Sequence, residues 1–156
     1  GWSHHITRLM VLANLATLLD VSPRALTDWF WVAYVDAFDW VVEPNVLGMG
    51  TFALGDLMTT KPYVSGSAYI DRMSDYCGGC AVDPKRTCPI TALYWAWLAR
   101  HEAALADLPR MRLPYRSLAR RDRARRQADR RTYERVSKML RAGRALDEGG
   151  IRSTTA

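Results

Sequence analysis

Residues 4–20, HHITRLMVLANLATLLD, decide the fold class. Apolar side chains dominate nearly all round, and Ile6, Leu9, Met10, Ala13 and Ala16 form one stripe. That spacing predicts a helix over His4–Asp20. Arg8 and Asn14 are polar intrusions in a segment otherwise suited to burial. Working outward, Ser22-Pro23 offers an N-cap followed by proline at the first helical position, which opens a second helix from Arg24 to Val41. Pro44 is expected to block its continuation. Residues 45–66 are rich in glycine and proline and read as loop, with short helices predicted over 51–58 and 67–76. Gly78–Pro84 forms a tight loop, and Pro89 opens a helix over Ile90–Leu108. Pro109 and Pro114 bracket a linker, a basic helix spans Ser117–Ala142, and the Gly149-Gly150 tail is expected to fray. No strand alternation or repeat interrupts this series, so the expected fold is all-α.

The chain has 156 residues, enough for one compact domain, and its 49% hydrophobic content is that of a globular protein. Its net charge of +6 is uneven: most arginines fall between Arg110 and Arg144. Such an excess favours polyanions such as DNA phosphates, although a solvated helix face has the same composition. No apolar run is long enough to span a bilayer, and no signal peptide is visible. The start at Gly1-Trp2, without an initiator Met, reads as a fragment of something longer.

Four constellations carry chemistry. Cys77-Gly-Gly-Cys80 followed by Cys88-Pro89 has metal-ligand spacing, since the two glycines let the backbone curl around a centre. Three thiolates leave one coordination position for His101, a residue upstream of this fragment, or nothing; reduced structural cysteines are the other reading. His4 and His5 are adjacent near a helix start and point about 100° apart, so one suits an acid and the other its support. A lone His on an apolar helix is more often structural. Asp36 and Asp39 sit among aromatics, where a carboxylate needs a cation or donor; Arg8 is the partner suggested for Asp36. Trp29, Trp31, Trp40, Tyr63, Tyr69 and Tyr76 are mostly core by expectation, with some available to carry electrons or stack on a base.

Together these pieces resemble the photolyase/cryptochrome superfamily. The run from Gly1 to Met10, then Trp29, then Asp36-Ala37-Phe38-Asp39-Trp40, looks like the flavin-binding helices of photolyases. Pro44–Met49, Thr60-Lys61-Pro62-Tyr63 and Arg72–Cys77 resemble more specifically the iron–sulfur bacterial cryptochromes and photolyases, the prokaryotic (6-4) group. The likeness covers residues 1–115. It implies a partial FAD- and iron–sulfur-binding helical domain there, a basic C-terminal helix at 116–145 and a flexible tail at 146–156.

The resemblance also implies roles. Cys77, Cys80 and Cys88 would be three ligands of a [4Fe-4S] cluster whose fourth ligand lies before Gly1. Arg8 and Asp36 would form a salt bridge beside the isoalloxazine ring, with Asn14, Asp39, Val42, Glu43 and Asn45 in the cofactor-binding set. His4 and His5 would be catalytic, His5 protonating the photoproduct. Trp29 and Tyr63 would carry electrons. Lys61, Tyr63 and Met49 would shape the lesion pocket, and Arg120, Arg121 and Arg125 would contact DNA phosphates. Val42 stands where photolyases often place a polar group opposite flavin N5, with Glu43 next to it; Phe30 stands where relatives can have a redox-active Tyr. The implied activity is light-driven electron transfer from FAD to a flipped-out (6-4) lesion in UV-damaged DNA, a carbon–carbon lyase reaction. The implied protein is cytoplasmic, monomeric at full length and carries an antenna chromophore in an N-terminal domain; the fragment alone would bind neither FAD nor cluster stably. The same scaffold serves cryptochrome photosensors. Independently of resemblance, a zinc-containing helical DNA-binding domain accounts for the cysteines and arginines.

Overall fold

A computed structural model describes residues 1–5 and 7–144. Ile6 of the predicted stripe and the expected tail at 146–156 lie outside the described residues. The fold is all-α, and no strand occurs among the described residues. The elements are α1 (Asn14–Leu18), α2 (Pro23–Ala33), α3 (Asp39–Val42), α4 (Ser67–Met73), α5 (Pro89–Arg100), α6 (Glu102–Leu105), α7 (Arg112–Ala119) and α8 (Arg123–Arg141). Two wider π-helical stretches extend them: Thr7–Ala13 runs into α1, and Glu43–Gly50 continues α3. The chain forms two compact units, Gly1–Val64 with Leu108–Arg110, and Ser65–Asp107 with the residues from Met111 onward.

The first unit buries the stripe of the opening segment. Leu9 and Ala13 pack with Leu26 and Phe30 of α2 and with Ala37, Val42 and Val46. The second unit packs α5 against α7 and α8, with Leu93, Leu98, Leu118 and Val136 fully buried. Tyr115 of α7 donates to the Leu98 carbonyl at 3.3 Å.

Several predicted boundaries are corrected. The helix expected over Arg24–Val41 ends at Ala33. The Gly1 ammonium donates to the Ala33 carbonyl at 2.7 Å, and Val35 N–H donates to the Gly1 carbonyl at 3.1 Å. These long-range bonds take over the helix end, and Tyr34 becomes extended. Pro44 does not stop the chain's helical course: α3 passes directly into the wider π-helical stretch Glu43–Gly50, which takes Pro44 at its second position. The helix expected over 51–58 shrinks to a 3₁₀ turn at Gly55–Leu57, and the one over 67–76 ends at Met73. The helix expected to reach Leu108 breaks at His101, whose ring packs 4.5 Å from that of Trp97.

The linker expected at Pro109–Pro114 is helical instead: Pro114 is the third residue of α7, again a first-turn position. The helix expected over Ser117–Ala142 divides at Arg120–Asp122. Asp122 accepts from the Arg125 amide at 2.7 Å and caps α8, while Arg126 donates to the Leu118 and Arg121 carbonyls and closes the end of α7.

Candidate functional site

In the first unit, the break after α2 turns Asp36 back onto the opening helix. Arg8 Nη1 lies 2.9 Å from Asp36 Oδ1, and Nη2 donates to Oδ2 at 3.1 Å. The Arg8 side chain is largely buried and its guanidinium stacks 4.3 Å above the Tyr34 ring. Hydrogen bonding from Arg8 holds the Asp36 carboxyl below its usual value. Arg8 Nε is buried without an acceptor among the described residues, and Asp36 Oδ1, though in ion-pair contact, is off hydrogen-bond alignment. A largely buried guanidinium with spare hydrogen-bonding capacity, paired to a half-exposed carboxylate, is compatible with a site that receives a polar ligand.

Beside this pair is a cavity of about 40 Å³ lined by His5, Arg8, Tyr34, Val42 and Asn45 among others. Asn45 donates its amide to the Val41 carbonyl at 2.7 Å, which fixes its orientation. Such a cavity has room for water and is far too small for a three-ring flavin. The unpaired Arg8 Nε thus fits the polar edge of a flavin, while this unit alone encloses no complete ring site.

The other expected residues distribute as follows. Val42 is buried and lines this cavity, with its side chain in the apolar core. Asp39 and Glu43 line a separate cleft with Trp31, and Glu43 is paired there with Arg24 at 2.7 Å. Glu43 is therefore committed to Arg24 and does not join Arg8 and Asn45. Asn14 is fully buried. Trp29 is half exposed and meets Phe30 and Tyr34 edge-on, with ring centroids at 5.1 and 6.1 Å. His4, His5, Lys61 and Tyr63 are exposed, and Met49 packs against the core. Sequence reasoning missed Tyr34, which stacks on Phe30, carries Arg8 on its ring and accepts from Ser3 Oγ at 3.1 Å. Its spacing of four from Phe30 was the available signal.

In the second unit, the three cysteines share the loop before α5. Burial pushes the Cys77 and Cys88 thiols up, with smaller upward contributions from neighbouring thiols and, at Cys77, from Asp71. Three thiols in mutual electrostatic reach are the right donor chemistry for a cluster. No three His, Cys, Asp or Glu side chains among the described residues are grouped to hold a metal, however, so the donor set is not assembled around a centre. The loop is anchored beside them by Ser67, whose hydroxyl bonds the Pro84 carbonyl and the Thr91 hydroxyl.

The basic helix is not uniformly available to DNA. Arg121 grips the buried Asp129 through Nε and Nη2 at 2.5 and 2.8 Å, and its guanidinium lies 5.1 Å from the Trp95 ring centroid. Arg125 is exposed and pairs with Asp122 at 3.3 Å, and Arg120 is exposed. Asp129 thus takes up Nε and Nη2 of Arg121 and fixes the side chain.

The chain is all-helical among its described residues, with an Arg8–Asp36 ion pair in the first unit and an arginine-rich end. No family model matches the chain. Over 125 residues, 77% of its length, it is 45% identical to a (6-4) photolyase of Agrobacterium fabrum. It is also 39% identical over 66 residues, 42% of its length, to an uncharacterised protein of Acanthamoeba polyphaga mimivirus. The matched stretches are 25% and 54% of those two relatives, so the chain spans only part of either. The first similarity supports membership of the photolyase/cryptochrome family, and the helical fold agrees with the helical domain of that family. No helix among the described residues is long and apolar enough to cross a membrane.

Proposed function

We propose that this chain is part of an enzyme of light-dependent DNA repair that acts on (6-4) pyrimidine photoproducts. The observation that carries the proposal is the 45% identity over 125 residues to a (6-4) photolyase. Bound FAD would supply the light-excited electron. Arg8, positioned by Asp36 and Tyr34, would hold the polar edge of the flavin through its spare Nε, with Asn45 and the apolar Val42 beside it. His5, at the cavity rim and exposed, is the better placed of the two histidines to give a proton to the lesion; His4 supports it. Trp29, in edge contact with Phe30 and Tyr34, and Tyr63 would carry electrons. Lys61, Tyr63 and Met49 shape the lesion side. Arg120 and Arg125 would contact phosphates, and the buried Asn14 would belong to the framework of the first unit.

Cys77, Cys80 and Cys88 would supply thiolates to a [4Fe-4S] cluster on closing around it. A lesion is already poorly stacked, so extruding it costs less than extruding a normal base. The test is to incubate the gene product that carries this chain with UV-irradiated duplex, under blue light and in darkness. Light-dependent loss of (6-4) lesions supports the reading. Flavin photoreduction without lesion loss assigns a photosensor, and bound zinc without flavin or iron assigns a helical DNA-binding protein.

A further inference from the structure

A cleft of about 530 Å³ lies between α5 and α8 in the second unit, lined by none of the residues given a role in the repair reading. Its volume falls within the range of small-molecule sites, about 300–1,000 Å³. Its α5 wall offers Trp95, Ala96 and Ala99, a surface flat enough for a ring because two of the three side chains are methyl groups. Its α8 wall offers Arg123, Arg126 and Arg130, with Arg100 and Tyr133 closing the end.

The charge is lopsided. Four arginines and two carboxylates line the cleft, but Asp129 is matched by Arg121, which is not part of the lining. Glu134 is left to face Arg123, Arg126 and Arg130, and it reaches Arg130 at only 3.5 Å on an exposed edge. Arg126 uses Nε and Nη2 on carbonyls, which orients its remaining Nη1 donors without consuming them. Arg100 is flattened on the Tyr133 ring, its carbon 3.6 Å from the centroid, which holds a normally mobile side chain in place. Arg126 and Arg100 are held in place and Arg123 and Arg130 reach the cleft as exposed guanidiniums, and such a cationic rim beside an apolar floor suits a phosphate ester carrying a planar base.

We propose that the α5–α8 cleft binds a phosphate ester of nucleotide size, with the base over Trp95 and the two alanines and the phosphate on Arg123 and Arg130. The chemistry is that of a nucleoside monophosphate; a nucleotide unit of a DNA strand presents the same group. The inference stands apart from the repair reading, which uses none of these residues.

The gene product that carries this chain is titrated calorimetrically with adenosine 5′-monophosphate, inorganic phosphate and adenosine, and separately with a short DNA duplex. The expected result is that the monophosphate binds more tightly than either of its parts. The double variant Arg123→Ala/Arg130→Ala weakens it about tenfold or more. Ala99→Trp, which fills the floor and leaves every charge in place, weakens it as well, and circular dichroism confirms retained helix. If only the duplex binds and both variants weaken it, the site stands and its phosphate comes from the strand. Binding that is absent for both probes, or unchanged in Ala99→Trp, overturns the proposal.

Discussion

Arg8 is the residue on which the first unit turns. Its guanidinium is shared between Asp36 and the Tyr34 ring, and its Nε is left for something else. Asp36 titrates below its ordinary value of 3.8 because Arg8 stabilises its charged form. The stability it contributes is therefore present above the unfolded value and fades as pH falls through the lowered one. Thermal unfolding from neutrality down to about pH 3 should show a steeper acid loss in the native chain than in Asp36→Asn, which has no such carboxylate to protonate. Tyr115 behaves in the opposite sense. Burial, then the charges of Glu102 and Tyr94, push its hydroxyl up to about 12. Its contribution is complete below the ordinary tyrosine value and is lost as pH rises toward that raised one. Between about pH 10 and pH 12 the native chain should lose stability that Tyr115→Phe does not lose.

At the scale of elements, α8 depends on its first turn and on one buried pair. Asp122 caps it with a 2.7 Å bond to the Arg125 amide, so Asp122→Ala should cost about 1 kcal/mol in urea unfolding. Arg121→Ala strands the buried Asp129 carboxylate and should cost about 3 kcal/mol, a larger effect than any exposed arginine in the helix can give. The split of the basic segment at Arg120–Asp122 was legible in part, since an Asp before a helical run is a cap signal, but the uninterrupted arginine pattern hid it. The end of α2 at Ala33 was not legible, because its cause is Gly1, 32 residues away in sequence. The Arg8–Asp36 pair was legible because both charges are out of place on apolar segments. Tyr34 escaped notice because an aromatic at helical spacing ordinarily reads as core, and only the chain reversal at Asp36 brings Arg8 over its ring. The cysteine spacing announced a ligand set, yet spacing says nothing about whether thiols converge before a cluster arrives.

At the scale of the whole molecule, the chain is an arginine-rich helical protein related over 77% of its length to a (6-4) photolyase. Its net charge of +6 suits a polyanion partner. Replacing Arg120 and Arg125 with alanine should weaken duplex binding at low salt and lower the salt slope by about 1 for each phosphate contact removed. The central claim is that the Arg8–Asp36 site serves light-driven repair. It is tested most directly by the rate of (6-4) lesion loss under blue light, measured for the native gene product and for its Arg8→Gln variant at matched helix content. The account predicts light-dependent repair by the native protein and a fall of about tenfold or more in the variant, as expected when a charged ligand contact is lost. A native protein that repairs nothing in the light, or a variant that repairs at the native rate, would contradict it.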